Sequence, residues 1–233
     1  MQSMEKVDKN DFIEMEYTGK ANGEVFDSNI PEELKKLNPK AKAEKLKIVV
    51  GQGLVVPGLD KALEGKEVGK EYDVLIPAKE GFGARRRELV KTIPQKIFTE
   101  KQMVPKPGMV FALDNNLVKI LAVSGARVIV DFNNPLSGKD LEYKFKIIKK
   151  IVEEKEKAEV LFEIFFRKVP EFEIKEKVIV KGVKELEMFV KVFGDRFKEL
   201  LGKELVFEEK KEISVEKSEE KTEVQKVEEN EKK

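Results

Sequence analysis

The stretch GQGLVVPGLDKAL, residues 51–63, places the tightest limit on what this chain can become. Two glycines lead into Leu54, Val55 and Val56, Pro57-Gly58 breaks the chain, and a short helix-like run follows. Bulky aliphatics among so many backbone breakers suit two arrangements. Either a strand end turns tightly into a helix, or the segment is the floor of a pocket. Short flanking strands offer a partner for both. FIEMEYTG has Phe12, Met15 and Tyr17 as inward candidates and ends at Gly19, with EVFDSN after it. Residues 30–45 are polar and Pro-broken, an excursion with one or two helical turns. LKIVVG and KEYDVLIP read as strands either side of a short helix from Leu59 to Leu63. Gly-rich punctuation at hairpin spacing predicts a small antiparallel sheet, and with the helices an α+β fold.

After the GFG at 81–83 the pattern changes. RRRELVKTIP and a Pro-rich VPKPG precede three good strands, MVFAL, LVKILAVS and RVIVDF, and LEYKFKIIKKI from Leu141 resumes the first β pattern. This reads as a domain inserted into another, with crossings near Gly83–Ala84 and Phe132–Pro135. A third block follows Val152. Ala158, Leu161, Ile164 and Phe165 mark a helix face before Pro170, and EFEIKEKVIVKG gives one or two strands. Val183, Leu186, Val190, Phe193, Phe197, Leu200 and Leu201 form an amphipathic stripe over 183–201 that stops at Gly202, and KELVFEE closes as a strand. From Lys210 the chain is mostly Glu and Lys, too polar to bury a core, so disorder is expected.

Composition removes several chemistries. The chain has no Cys and no His, which excludes disulfides, thiolate or imidazole nucleophiles and Ser-His-Asp triads, and leaves no zinc site of the usual kind. The 46 basic and 45 acidic residues nearly cancel, so no global field favours nucleic acid or an anionic membrane. Charged residues reach 39%, well above the usual quarter or so, and Lys/Glu richness without Cys or Trp fits a thermophile's proteome. Residues 1–20 hold no signal-like apolar run, and no segment approaches the roughly 20 apolar residues of a membrane span. A cytoplasmic protein is expected.

The order YTG, VFDSN, VVGQGLVVPGLDKALEGKEVGKEYDVLIPAKEGFG and NNPLSGKDLEYKFKI resembles the FKBP-type peptidyl-prolyl cis-trans isomerases. More narrowly it is similar to the SlyD-type and archaeal long-form members, which carry an inserted chaperone domain. The resemblance covers residues 8 to about 152 and is silent about the third block. It implies a short helix across a curved antiparallel sheet with an apolar prolyl pocket between them. Position by position, it assigns catalytic roles to Tyr17, Asp27 and Phe82, and substrate binding to Phe26, Leu46, Val55, Val56, Leu59 and Tyr143. Leu59 stands where many members have Trp, and Phe82 where a Tyr often donates a hydroxyl. It also implies that a backbone N–H near Val56 anchors a substrate carbonyl. No cofactor or metal is expected, since the His-rich tail of some relatives is missing. From the residues alone, Asp27 with Ser28-Asn29 also reads as a turn former, and Val55, Val56 and Leu59 as plain core. Arg85-Arg86-Arg87 reads as a phosphate binder or a solvated hinge.

The expected organisation is an isomerase domain from 1–83 plus 132–152, an inserted domain over 84–131, a C-terminal α+β domain over 153–209 and a charged tail over 210–233. The insert has more apolar residues than a unit of about 50 residues hides easily. Val90, Ile93, Ile97, Phe98, Met103 and Met109 are therefore expected to form a surface for unfolded chains, in which Met adapts to varied partners. The partners expected are unfolded polypeptides with X-Pro bonds and a second copy of the chain. That homodimer would form through 160–166 or 189–201, while docking of the third block onto its own chain is the competing view. A holding module without catalysis stands as the alternative function.

Overall fold

The computed structural model describes residues 5–113 and 116–210, so the expected tail disorder lies outside the described residues. The chain divides into two compact units, Met1–Val160 and Leu161–Lys233.

In the first unit, β1 (Phe12–Ala21), β2 (Glu24–Ser28), α1 (Pro31–Leu37), β3 (Leu46–Val49), α2 (Pro57–Leu63) and β4 (Glu71–Ile76) precede the insertion. In the insertion are β5 (Val90–Pro94), α3 (Lys96–Glu100), β6 (Val110–Leu113), β7 (Asn116–Ser124) and β8 (Arg127–Asp131). β9 (Leu141–Lys150) then returns to the first sheet, and α4 (Glu154–Phe166) runs across the boundary between the units. The first sheet has the order β2-β1-β9-β4, with β3 also paired to β1, and every pairing is antiparallel.

Alternation along β9 sends Leu141, Tyr143, Phe145 and Ile147 to one buried face, as a period of two requires. Ile13 and Met15 of β1 and Leu59 and Leu63 of α2 complete that core. Phe12 was expected to face inward with Met15. It is buried but lies outside this cluster, and Ile13 takes the place beside Met15. Ile13, Met15 and Tyr17 keep a period of two along β1, so Phe12, three residues before Met15, falls on the opposite face.

Helix α2 lies very close to β4. A Cβ on Gly58 would stand 2.3 Å from Ile76 Cγ2, so only glycine allows this approach. Pro57 sits in the first turn, where its missing N–H costs nothing.

The insertion forms a four-stranded sheet of order β5-β8-β7-β6. Phe98 of α3 packs on Val118, Ile120, Val128 and Val130. Strand β5 and helix α3 were not expected. The first ends in a proline and the second is a single turn or so, too short to show a helical period. The passages into and out of the insertion are bonded together. Asn133 accepts the Arg86 N–H at 2.8 Å and donates to the Arg86 carbonyl at 2.9 Å, while Gly138 N–H donates to the Gly83 carbonyl at 2.8 Å. Arg85 donates from Nε and Nη2 to Asp131 Oδ2 at 3.0 and 2.6 Å, which favours the hinge reading of the arginine run.

The second unit carries β10 (Glu171–Ile174), β11 (Val178–Gly182), α5 (Leu186–Leu201) and β12 (Leu205–Glu209). β10 is antiparallel and β12 parallel to β11, with α5 as the crossover. The expected helix over 183–201 begins at Leu186, and Val183 precedes it, exposed. It ends at Gly202 with φ 74°, a left-handed cap that glycine adopts without strain. Phe162, Phe172 and Phe197 meet at centroid distances of 4.9 Å in this core. Among the described residues, no helix is long and apolar enough to cross a membrane.

Candidate functional site

A cavity of about 420 Å³ opens between α2 and the first sheet, lined by Tyr17, Phe26, Asp27, Leu46, Gly53, Leu54, Val55, Val56, Leu59, Phe82 and Tyr143. All nine residues singled out for this pocket line it, brought from β1, β2, β3, β9, the loop into α2, α2 itself and the turn after β4. Gly53 and Leu54 were missed as lining, although both lie in the opening motif. A larger cavity of about 560 Å³ lies among Lys20, Glu32, Glu33, Glu71, Asp73, Glu142 and Lys144 with a few apolar neighbours. Its mostly charged walls offer a poor seat for an apolar ring, so the smaller cavity is the better candidate.

The walls are aromatic. Phe26 stands edge-on to Phe82 at 6.1 Å and to Tyr143 at 5.8 Å, and Tyr143 lies 6.2 Å from Tyr17. Each such contact contributes roughly 0.5–1.5 kcal/mol beyond area burial, enough to fix ring orientation. Gly19 lies beneath them: a Cβ there would stand 2.7 Å from Phe26 Cζ and 3.0 Å from Tyr143 Cε1. Leu59 is buried and serves both cavity floor and core.

The polar equipment is small. Tyr17 Oη donates to Asp27 Oδ2 at 2.7 Å. The turn-forming work is done by Asp27's neighbours instead. Ser28 Oγ donates to the Tyr17 carbonyl at 2.9 Å and accepts the Ile30 N–H at 3.1 Å. Asn29 accepts the Tyr17 N–H at 2.7 Å and donates to the Met15 carbonyl at 3.0 Å. Val56 caps α2, and among the described residues its N–H has no hydrogen-bond partner. Nothing in this set requires proton transfer or a covalent intermediate.

The surface expected on the insertion is partly corrected. Phe98 is 3% exposed and belongs to the insertion's core, because α3 folds its ring onto β7 and β8. Ile93 and Met103 pack against that core, Val90 is half-buried, and Ile97 and Met109 are exposed. Val104, Val110 and Leu117 are more exposed still and were overlooked. Arg85, Val110, Leu117, Leu121 and Lys139 help to line a further cavity of about 420 Å³.

Burial, followed by the bond to Asp27, raises the Tyr17 hydroxyl above the ordinary tyrosine range. Burial, followed by the Asp27 charge, pushes Tyr143 up to about 12. A pKa raised on folding gives stability that is whole below the unfolded value and lost as pH climbs through the folded one. Any activity of this cavity is therefore expected to be flat from about pH 7 to 10, and the thermal midpoint to fall above about pH 10, where free tyrosine ionises. Tyr143→Phe should lessen that alkaline loss. A rate that titrates near pH 8 in stopped-flow assays would contradict this assignment.

Residues 3–104 match the family profile of the FKBP-type peptidyl-prolyl cis-trans isomerases, and residues 91–136 match that of the FKBP26 IF domain. A short-type peptidyl-prolyl cis-trans isomerase of Methanocaldococcus jannaschii is 33% identical over 145 residues, 60% of this chain and 92% of that protein. The FKBP-type isomerase SlyD of Haemophilus influenzae is 29% identical over 147 residues, 61% of this chain and 72% of its own. SlyD of Escherichia coli K12 is 32% identical over 102 residues, 42% of this chain and 52% of its own. With its antiparallel sheet, crossing helix and aromatic-walled cavity, the chain belongs to the FKBP-type peptidyl-prolyl cis-trans isomerases.

Proposed function

We propose that the cavity over Leu59 is the prolyl seat of this isomerase and that the inserted unit holds unfolded chains for it. The observation that carries the first half is the gathering of Tyr17, Phe26, Leu46, Val55, Val56, Phe82 and Tyr143 around one apolar space. Rotation about an X-Pro bond faces a barrier of ~18–20 kcal/mol, because resonance holds the amide planar. The planar amide is the more charge-separated form and water solvates it well. A seat that strips water from it favours the twisted, less polar amide. Phe26, Phe82 and Tyr143 grip the pyrrolidine ring, and the Val56 N–H anchors a substrate carbonyl. Asp27, exposed and bonded to Tyr17, orients that hydroxyl and adds charge near the rotating carbonyl instead of acting as a base.

Phe82→Ala is expected to lower kcat/KM on an Ala-Leu-Pro-Phe peptide by about tenfold or more, since removing a ring uncovers the seat to water. Asp27→Ala should reduce it less, by several-fold. Parental kcat/KM in both variants would place the prolyl seat elsewhere.

Support for the second half comes from the exposed apolar residues Ile97, Val104, Met109, Val110 and Leu117 on a small inserted unit. The domain limits proposed are 1–83 plus 132–152 for the isomerase, 84–131 for the insert and 153–209 for the C-terminal domain. Tethering a chain-holding surface to the seat raises the local concentration of substrate proline. Ile97→Ser with Met109→Ser should leave tetrapeptide turnover within about twofold while slowing catalysis of proline-limited protein refolding by about tenfold. An equal fall in both activities would remove the division of labour.

The C-terminal unit is assigned to self-association. Of the two segments considered, 160–166 is largely spent, since Val160, Leu161, Phe162 and Phe166 are buried. Helix α5 instead exposes Met188 and Val192 at 66% and 63%, one helical turn apart, with Phe189 beside them. The absence of Cys suits a cytoplasmic protein. Sedimentation is expected to give a dimer for the full chain and a monomer for Val192→Glu, and one mass for both would remove this role.

A further inference from the structure

Asp60 lies inside α2 with 7% of its surface exposed. Its two carboxylate oxygens turn back toward the loop that leads into the helix. Oδ1 accepts the Gly51 N–H at 2.8 Å, and Oδ2 accepts the Gly53 N–H at 2.8 Å. Both glycines are left-handed, with φ of 78° and 67°, a backbone that a side chain would strain. The loop's outer ends are held by the sheet and the helix. Val50 N–H donates to the Asp11 carbonyl at 2.9 Å, and the Val56 carbonyl accepts the Leu59 N–H at 2.9 Å. Between those ends run Gly53, Leu54, Val55 and Val56, all lining the cavity.

We infer that Asp60 is a positioning residue for the isomerase reaction: its carboxylate locks the lip of the cavity so that the Val56 N–H and the Val55 and Val56 side chains present one geometry to the prolyl peptide. The inference rests on the cavity being the prolyl seat. Charge-assisted bonds to backbone N–H groups are among the stronger ones, and two on one carboxylate fix direction as well as distance. Without them the lip is competent only part of the time. Apparent substrate affinity then falls by that fraction, while the bound complex, once formed, turns over as before. A merely structural carboxylate acts differently. Its loss lowers the folded fraction, which scales down apparent kcat and leaves KM alone.

The split between KM and kcat therefore decides the matter. The test uses the full chain and an Ala-Leu-Pro-Phe peptide, comparing the parent with Asp60→Asn, Asp60→Ala, and Leu63→Ala as a stability control in the same helix. Leu63 is buried in the core and does not line the cavity. Asp60→Asn and Asp60→Ala are expected to raise KM about tenfold with kcat within about twofold, as loss of charged hydrogen bonds to a mobile lip requires. Leu63→Ala should lower the thermal midpoint and keep the parental KM. Should the Asn amide, which sets a donor against a donor, prevent folding, Asp60→Ala carries the test, since Gly51 and Gly53 are exposed and water can take over their N–H groups. A parental KM in the folded Asp60 variants overturns the inference, as does a fall in kcat alone that mirrors Leu63→Ala. Phe82→Ala separates the two failures. If it is impaired while the Asp60 variants keep parental KM, only the Asp60 role falls. If all are parental, the prolyl seat itself is misassigned and the inference falls with it.

Discussion

The first sheet cannot close until β9 comes back. That strand lies between β1 and β4, pairs with both along most of its length, and enters the chain only after the insertion. It also supplies Leu141, Tyr143, Phe145 and Ile147 to the core, and one of these, Tyr143, walls the cavity. Core and site therefore both wait on a strand that follows the β5–β8 sheet. Any insertion tolerated here must bring its two ends together. The paired bonds of Asn133 with Arg86, and of Gly138 with Gly83, meet that requirement at the crossing itself. Loop closure grows only slowly more costly with length, so an insertion with a buried cluster of its own, its ends fixed in this way, leaves the host sheet nearly undisturbed.

The same closure keeps the site's polar content low. With no His or Cys in the chain, its titratable neighbours are two tyrosines and one carboxylate. Phenols are neutral at pH 7 and burial moves the ionisation of both still higher, so Tyr17 remains a donor to Asp27 and neither ring carries charge. An apolar seat acting on an amide needs that neutrality. A charge buried within it would hold water and restore the solvation that favours the planar bond, whereas the one carboxylate of the lining, Asp27, is exposed to solvent.

Much of the arrangement was legible in the sequence, for reasons that differ by region. The alternation of LEYKFKIIKKI dictates its buried face directly, and the Gly-Pro punctuation of 51–63 marks a strand end entering a helix. The nine cavity residues came from family resemblance, because spacing alone allows Val55, Val56 and Leu59 to be ordinary core. Leu59 is in fact both. Phe98 misled because an aromatic in a short, unpatterned segment gives no sign of which way it turns, and only α3 settles that. Phe12 misled because it stands three residues before Met15, and a period of two puts such a pair on opposite faces. Asp60 left no trace for a more basic reason. Its partners are backbone N–H groups of two glycines, and a sequence displays side chains only.

With the cavity proposed as the prolyl seat, the Leu at position 59 raises the question of how a floor with no indole would hold a proline ring in one place. Its answer lies in the walls. Tyr17, Tyr143, Phe26 and Phe82 follow one another at centroid distances of 6.2, 5.8 and 6.1 Å, two of these contacts edge-to-face. Each ring is thereby held by the next, and the chain of rings is anchored to β1, β9 and β2. Gly19 lets Phe26 and Tyr143 cross β1 closely enough to meet. A larger floor would fill space that these walls already border, whereas a buried Leu59 leaves it open while packing below into the core. The seat's shape is thus set by lateral aromatic contacts and by the loop tied to Asp60, and the floor has only to be apolar and dry.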